Sequence, residues 1–251
     1  MAARRRIDVV GASKSKHPSR YPVRMPKVLS VNVARPRENP DPRGQSKITG
    51  IYKRPTTEAV MVRAPGPMHG GLGSGLVGDT IGNPRVHGGD DQAVYAYARD
   101  DLDDWETKLD RTLTDGMFGE NLTVTGIDVT GARIGERWRV GSEGAGGPLL
   151  EVSGPRTPCR TFAAFLDLNH LIKTFIRAAI PGAYLRVIEP GTVRAGDEIT
   201  IEHRPDHDVT VELVFRARLT EPELLPKLLV VDALSPEMAA YARRRLAVNE
   251  G

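Results

Sequence analysis

A single cysteine, Cys159, stands in a chain of 251 residues. That excludes an intrachain disulfide and any zinc or iron–sulfur centre built from several thiolates. Aromatic residues make up only 5%. No run approaches the roughly 18 consecutive apolar residues that a membrane span needs. Arg4–Arg6 leads into Ile7-Asp8-Val9-Val10-Gly11, too short and too interrupted for the apolar part of a signal peptide. The expectation is therefore a cytoplasmic protein with no membrane partner. No G-x-G-x-x-G follows a strand, and nothing reads as a flavin, haem or iron–sulfur site. Internal repeats are absent, and so is the βαβ alternation of a doubly wound sheet.

Breakers are plentiful instead. The chain has 26 Gly and 19 Pro, which predicts many short strands and turns rather than long helices. Charge is unevenly placed. The net value is +3, but residues 1–27 hold eight Lys/Arg against the single acid Asp8, so the rest carries 27 basic against 31 acidic side chains. The basic character thus belongs to a tail, residues 1–26, expected to be disordered, and no specific nucleic-acid binding is expected. Met25 is an alternative start.

Periodicity predicts a mainly β body, residues 27–206, with a few helices, and a small α-helical C-terminal extension, residues 207–251. Lys27–Ala34 reads as a first strand. Residues 49–54 and 58–62 look like a hairpin around Pro55-Thr56-Thr57. Ala64–Gly89 holds nine Gly and three Pro and cannot be regular structure. Residues 100–109 fit a helix, and residues 121–125, 136–140 and 149–153 fit strands. Phe165–Ala179 is the clearest amphipathic helix, with Leu168, Leu171, Ile172, Phe175 and Ile176 on one stripe. Strands at 183–188 and 198–203 flank the turn Pro190-Gly191. Residues 209–215 fit helix and strand equally, while 223–230 and 236–246 read as helices.

Cys159 lies in Ser153-Gly154-Pro155-Arg156-Thr157-Pro158-Cys159-Arg160. The prolines stiffen the backbone, and Arg156 and Arg160 supply positive charge that favours thiolate, the form that ligates metals and attacks electrophiles. A buried cysteine acting as a small hydrophobe is the plain alternative, less suited to a polar loop between arginines. His87-Gly88-Gly89 closes the glycine-rich loop after Gly78-Asp79. Glycine amides there suit an anion, and His87, oriented by Asp79, suits proton transfer; from this fragment alone a solvated surface histidine is the better reading. Phe118-Gly119-Glu120-Asn121-Leu122 precedes a strand, where Glu120 and Asn121 hold loops together or face a site.

Gly75 to Gly89 as G-x-x-G-D-x7-H-G-G, F-G-E-N-L at 118–122 and S-x-P-R-x-P-C at 153–159, in that order, resemble the MOSC domain, the family named for the C-terminal domain of molybdenum cofactor sulfurase. The resemblance covers roughly Lys27 to Arg204, and residues 208–246 resemble a shortened form of the helical extension of stand-alone bacterial members. It implies a closed β-barrel-like body that binds molybdenum cofactor, molybdopterin carrying the metal, with Cys159 as the ligand to molybdenum. A soft thiolate suits a metal already held by dithiolene sulfurs. The pterin ends in a phosphate, for which Arg156 is the first candidate and Arg160 and Arg85 the next, with the amides of Gly88 and Gly89 beside them. By family position His87 and Asp79 are proton-delivery or supporting residues, and Glu120 and Asn121 brace the pocket. The resemblance also implies a reductase of small N-hydroxylated compounds, supplied with electrons by an external reductase. Three rivals accompany it: a sulfur carrier using a Cys159 persulfide, a non-catalytic cofactor-binding or storage module, and a cysteine hydrolase pairing Cys159 with His87 or His170.

Overall fold

The computed structural model describes residues 24–141 and 146–249; most of the expected basic tail lies outside the described residues. Alternation of buried and half-exposed residues makes Lys27–Ala34 a strand, β1, with Val28, Val31 and Ala34 in the core. Short strands follow at Arg37–Glu38 (β2), Ile48–Thr49 (β3), Lys53–Thr56 (β4) and Val60–Val62 (β5). Then come β6 (Val94–Ala98), α1 (Arg99–Leu109), β7 (Leu122–Thr125), β8 (Arg137–Val140), β9 (Leu149–Pro155), α2 (Arg160–Leu166) and α3 (Leu171–Ala178). The chain continues with β10 (Ala183–Glu189), β11 (Gly191–Val193), β12 (Ile199–His203), α4 (Val211–Leu219), α5 (Leu225–Leu228) and α6 (Pro236–Asn249). The protein is mainly β with a few helices.

Eight strands form one sheet in the order β12-β8-β9-β10-β6-β7-β1-β4. The expected closed barrel is instead a curled sheet whose ends meet at a narrow seam. One edge of β1 is taken by β7, and the far half of its other edge, Val31–Ala34, by β4. Only its first residues remain for the other end of the sheet. The seam is the bridge Lys27–Glu198, with Val28 N–H on the Asp197 carbonyl at 2.8 Å and Gly196 N–H on the Val28 carbonyl at 2.8 Å. Strands β6 and β7 are parallel, so α1 serves as their crossover and makes one βαβ unit that the sequence did not announce.

Three further expectations need correction. Residues 49–54 and 58–62 do not form a hairpin: β4 pairs with β1 and β5 with β11. Pro55 is tolerated because β4 is the edge of the sheet, where its missing N–H is not needed. The long helix at 165–179 is two helices, because Asp167 adopts the left-handed conformation (φ 54°) and ends α2. The apolar stripe survives the break, since Leu166, Leu171 and Phe175 all enter the same core. The turn at 190–191 opens a strand, β11. Residues 209–215 resolve as helix, with α4 capped by Thr210, whose hydroxyl accepts from the Leu213 amide.

The few aromatics are concentrated rather than spread. Tyr95, Tyr97, Trp105, Phe118, Phe162, Phe175 and Phe215 share one cluster, with Trp105 stacked on Phe175 at 5.7 Å and Phe118 edge-on to Phe162 at 5.1 Å. Each such pair adds about 0.5–1.5 kcal/mol beyond its buried area. The buried phenols and indole are all satisfied: Trp105 Nε1 donates to Tyr97 Oη, and Tyr97 and Tyr95 donate to the Ile180 and Pro181 carbonyls. The C-terminal block completes the other cluster, to which α4, α5 and α6 give Val214, Leu225, Leu228 and Met238. Among the described residues no helix is long and apolar enough to cross a membrane.

Candidate functional site

Cross-strand register fixes the floor of a cavity of about 370 Å³. Tyr184 on β10 lies opposite Gly154 on β9 and Tyr95 on β6, so one row crosses three strands just before β9 ends at Pro155. The chain leaving β9 carries Arg156 straight into the protein. Its guanidinium sits 4.3 Å from the Phe162 ring and 5.3 Å from the Tyr95 ring, and only 5% of the residue is exposed. Stacking on aromatic faces suits a planar, weakly hydrated cation. Yet Arg156 Nη1 is buried with no hydrogen-bond partner among the described residues. An unsatisfied N–H on a buried charge costs about 1–3 kcal/mol or more. It is the strongest sign that the cavity is shaped for an anionic group.

Cys159 stands three residues on, half-buried, at the start of α2, and lines the same cavity. Burial pushes the phenols of Tyr95 and Tyr184 above their usual range, so both stay protonated beside Arg156. The opposite wall holds His87, Gly88 and Gln92. Burial first, then the Arg156 charge, pushes the His87 imidazole down to about 4, against an upward pull from its hydrogen bond with the Gln92 side chain. At neutral pH His87 is therefore uncharged.

Asp79 does not orient His87. Its carboxylate is saturated by Lys53 Nζ at 2.7 and 2.6 Å, Ser74 Oγ at 2.7 Å, the Ala34 amide at 2.8 Å and Asn121 Nδ2 at 2.9 Å. Burial alone raises its pKa, but the Lys53 charge and these donors outweigh it and hold the carboxyl below 3.8. Asp79 is a hub that ties β1, β4 and the glycine-rich loop to Asn121. Asn121, which lines the cavity, also accepts from the Tyr95 amide at 3.2 Å. Glu120 is fully buried away from the cavity. It accepts from the Gly116 and Phe118 amides and from Thr123, and burial pushes its carboxyl up. Both act as braces.

Packing requires glycine at both positions after His87, of which Gly88 also lines the cavity. A Cβ on Gly88 would stand 2.7 Å from the Gly73 carbonyl oxygen and one on Gly89 2.6 Å from the Met68 nitrogen, and both residues have positive φ. Gly89 lies outside the cavity lining, and its N–H is spent on Gly73. Arg85 is exposed and does not line the cavity. Arg160 does, but its guanidinium is bound to Asp41 at 2.7 Å with its side chain 53% exposed. Because the Asp41 carboxylate is only 7% exposed, Arg160→Ala should lower stability by about 1–3 kcal/mol, measured by denaturant unfolding. His170 is exposed and outside the lining, which removes one of the two histidines that a hydrolase would pair with Cys159.

Sequence reading missed Tyr95, Tyr184, Gln92 and Lys53. The expected strand at 183–188 contained Tyr184, but nothing local names its neighbours on β6 and β9. Among the described residues no group of three or more His, Cys, Asp or Glu converges as a metal cage. A bare ion would find one thiolate here, whereas a metal that brings its own ligands needs only one. The donor set, with the orphaned guanidinium beside it, fits an anionic, ligand-bearing metal group.

The MOSC domain pattern matches residues 83–200, a span that includes His87 and Cys159 and stops short of the C-terminal block. The uncharacterized protein YflK of Bacillus subtilis is 31% identical over 189 residues, 75% of this chain and 79% of its own length. A protein named reductase from Gibberella moniliformis is 33% identical over 158 residues, 61% of this chain but only 27% of that longer protein. The crystal structure of YiiM from Geobacillus stearothermophilus superposes with a TM-score of 0.69 at 24% identity, over 88% of this chain and 99% of that one.

Proposed function

This chain belongs to the MOSC domain family, and from that premise we propose that its cavity holds molybdenum cofactor on Cys159 and serves the reduction of small N-hydroxylated compounds. The observation that carries the reading is the partnerless Nη1 of buried Arg156 beside the half-buried thiol. The name of the Gibberella relative, a reductase, agrees with it.

Cys159 would be the protein's ligand to the metal, and Arg156 would take an anionic edge of the group. When bound, the cofactor supplies two-electron redox chemistry: the N–O bond of the substrate breaks, and two electrons and two protons leave an amine and water. The electrons come from an external reductase. The residues of this chain bind, orient and manage protons. Tyr95 and Phe162 hold the guanidinium plane, so its free N–H keeps a fixed direction. His87 is neutral while Arg156 is uncompensated. An anion on Arg156 would remove the smaller of the two effects that hold the imidazole neutral, burial being the larger, and so would ease proton uptake at His87.

The test is elemental analysis of the purified native protein, with pterin fluorescence after oxidation. Molybdenum and pterin in equal amounts are expected. Metal-free protein with a persulfide mass shift on Cys159 would overturn the reading in favour of a sulfur carrier. Bound cofactor without turnover of any N-hydroxylated amine would leave a storage module. Arg156→Ala should weaken cofactor retention by about 1.5–3 kcal/mol, the worth of a charged hydrogen bond, seen as lower metal content after dialysis. Arg156→Lys should not restore it, because an ammonium cannot stack on two rings.

A further inference from the structure

The C-terminal block lies outside the span that the family pattern matches, yet its backbone meets a side chain that grips the cavity wall. Arg186 on β10 has its side chain 17% exposed. Its Nη1 donates to the Ala233 carbonyl at 2.9 Å and to Glu151 Oε1 at 3.0 Å. Its Nε donates to Asp91 Oδ1 at 2.5 Å. Ala233 lies between Val231 and Leu234, both buried in the main core, so this carbonyl is fixed by the packing of α5 and α6. The site is tight: a Cβ on Gly135 would come within 2.9 Å of the Ala233 methyl.

Asp91 is the middle residue of a single 3-10 turn, Asp90–Gln92. Ser153 Oγ holds that turn from β9 by donating to the Asp91 carbonyl at 2.5 Å. Gln92, the next residue, lines the cavity with its side chain hydrogen-bonded to His87, and its amide closes the turn on the Gly89 carbonyl at 3.0 Å. A three-residue turn has no stability of its own, so its position is set by what grips it. Two of its side chains are gripped: Asp90 accepts from the Gly66 amide at 2.8 Å in the glycine-rich loop, and Asp91, the anchor beside Gln92, is held by Arg186.

We infer that Arg186 is a positioning residue, carrying the hold of the C-terminal block on Ala233 through the Asp90–Gln92 turn to the His87 imidazole. The inference rests on the reading of this cavity as the functional site. The role it gives to the C-terminal block is mechanical support of one cavity wall.

The test uses the full-length protein without cofactor, so it is independent of metal loading. Nitrogen NMR of the His87 ring at fixed neutral pH reports its hydrogen bond, and hydrogen exchange reports the Gln92 amide. Arg186→Ala should shift the His87 ring resonances, and the Gln92 amide should exchange at least 10-fold faster while the fold persists. Gln92→Ala should move the same ring signals, and the double variant should add nothing further to them. Arg186→Lys, which keeps a cation for Asp91, should restore part of the shift. Glu151→Gln is the control: it weakens the sheet side of the network but leaves the Asp91 contact, and should leave His87 in place. Unchanged His87 and Gln92 signals in Arg186→Ala would overturn the inference, as would an equal shift in Glu151→Gln. Should the native protein prove free of molybdenum while these shifts occur, the cofactor reading falls and the positioning role stands.

Discussion

Under the proposed function, Cys159→Ser should leave a folded protein that no longer retains molybdenum. The thiol is half-buried and precedes α2 with an extended backbone (φ −126°, ψ 167°) that serine adopts as readily. Its side chain packs only at the margin of the aromatic cluster, so the stability change should stay within about 1 kcal/mol, the range of substitutions that create no cavity and bury no new charge. Metal retention is a different quantity. A serine hydroxyl stays protonated near neutral pH and is hard where the proposed metal group is soft, so the ligand proposed for the metal is lost. Metal content should fall to background, with the unfolding midpoint unchanged. A serine variant that keeps its molybdenum refutes the assignment of Cys159, and one that unfolds shows that the thiol is structural.

Asp79→Asn has its large effect on stability instead. Lys53 Nζ has its side chain only 6% exposed and that of Asp79 is fully buried, so an amide in place of the carboxylate strands an ammonium in the interior. Breaking a buried pair from one side costs about 3–5 kcal/mol. The pH dependence has a defined sign. The folded carboxyl titrates below 3.8, so its contribution is fully present above 3.8 and disappears as the pH falls through the lowered value. Urea unfolding of the two proteins should show a wide gap at pH 7 that narrows steadily below about pH 4. A gap that persists into strong acid would mean that the loss comes from packing and not from charge. Any chemistry at the cavity should suffer in proportion to the folded fraction, because Asp79 is outside the lining and its side chain meets it through Asn121 and Lys53.

What the sequence disclosed and what it concealed divide along the range of the forces involved. Lys27–Ala34 and the α1 segment were legible, because alternation and helical spacing act within a few residues. The rigid turn into Cys159 was legible for the same reason. The hairpin at 49–62 failed because turn chemistry reports a reversal of direction, not the partner that each arm then finds; here the arms go to β1 and β11. The break at Asp167 was hidden because two helices on one core display one uninterrupted stripe. Arg156 was recognisable as a cation near a thiol. Its setting was not, since Tyr95, Phe162 and Tyr184 come from three elements that only the sheet order assembles. The role expected of Asp79 went astray through proximity in sequence: the motif places it eight residues before His87, but the loop between them turns its carboxylate toward Lys53.

The seam of the sheet sets a timetable for synthesis on the ribosome. Val28 emerges well before the Asp197 carbonyl it binds, which is about 170 residues further along the chain. At roughly 5–20 residues per second that is a delay of about 10–30 s, during which the leading edge of β1 has no strand to meet. The nascent protein therefore passes through a stage with an open, adhesive margin. Chaperone capture or slowed translation after residue 34 should therefore alter yield.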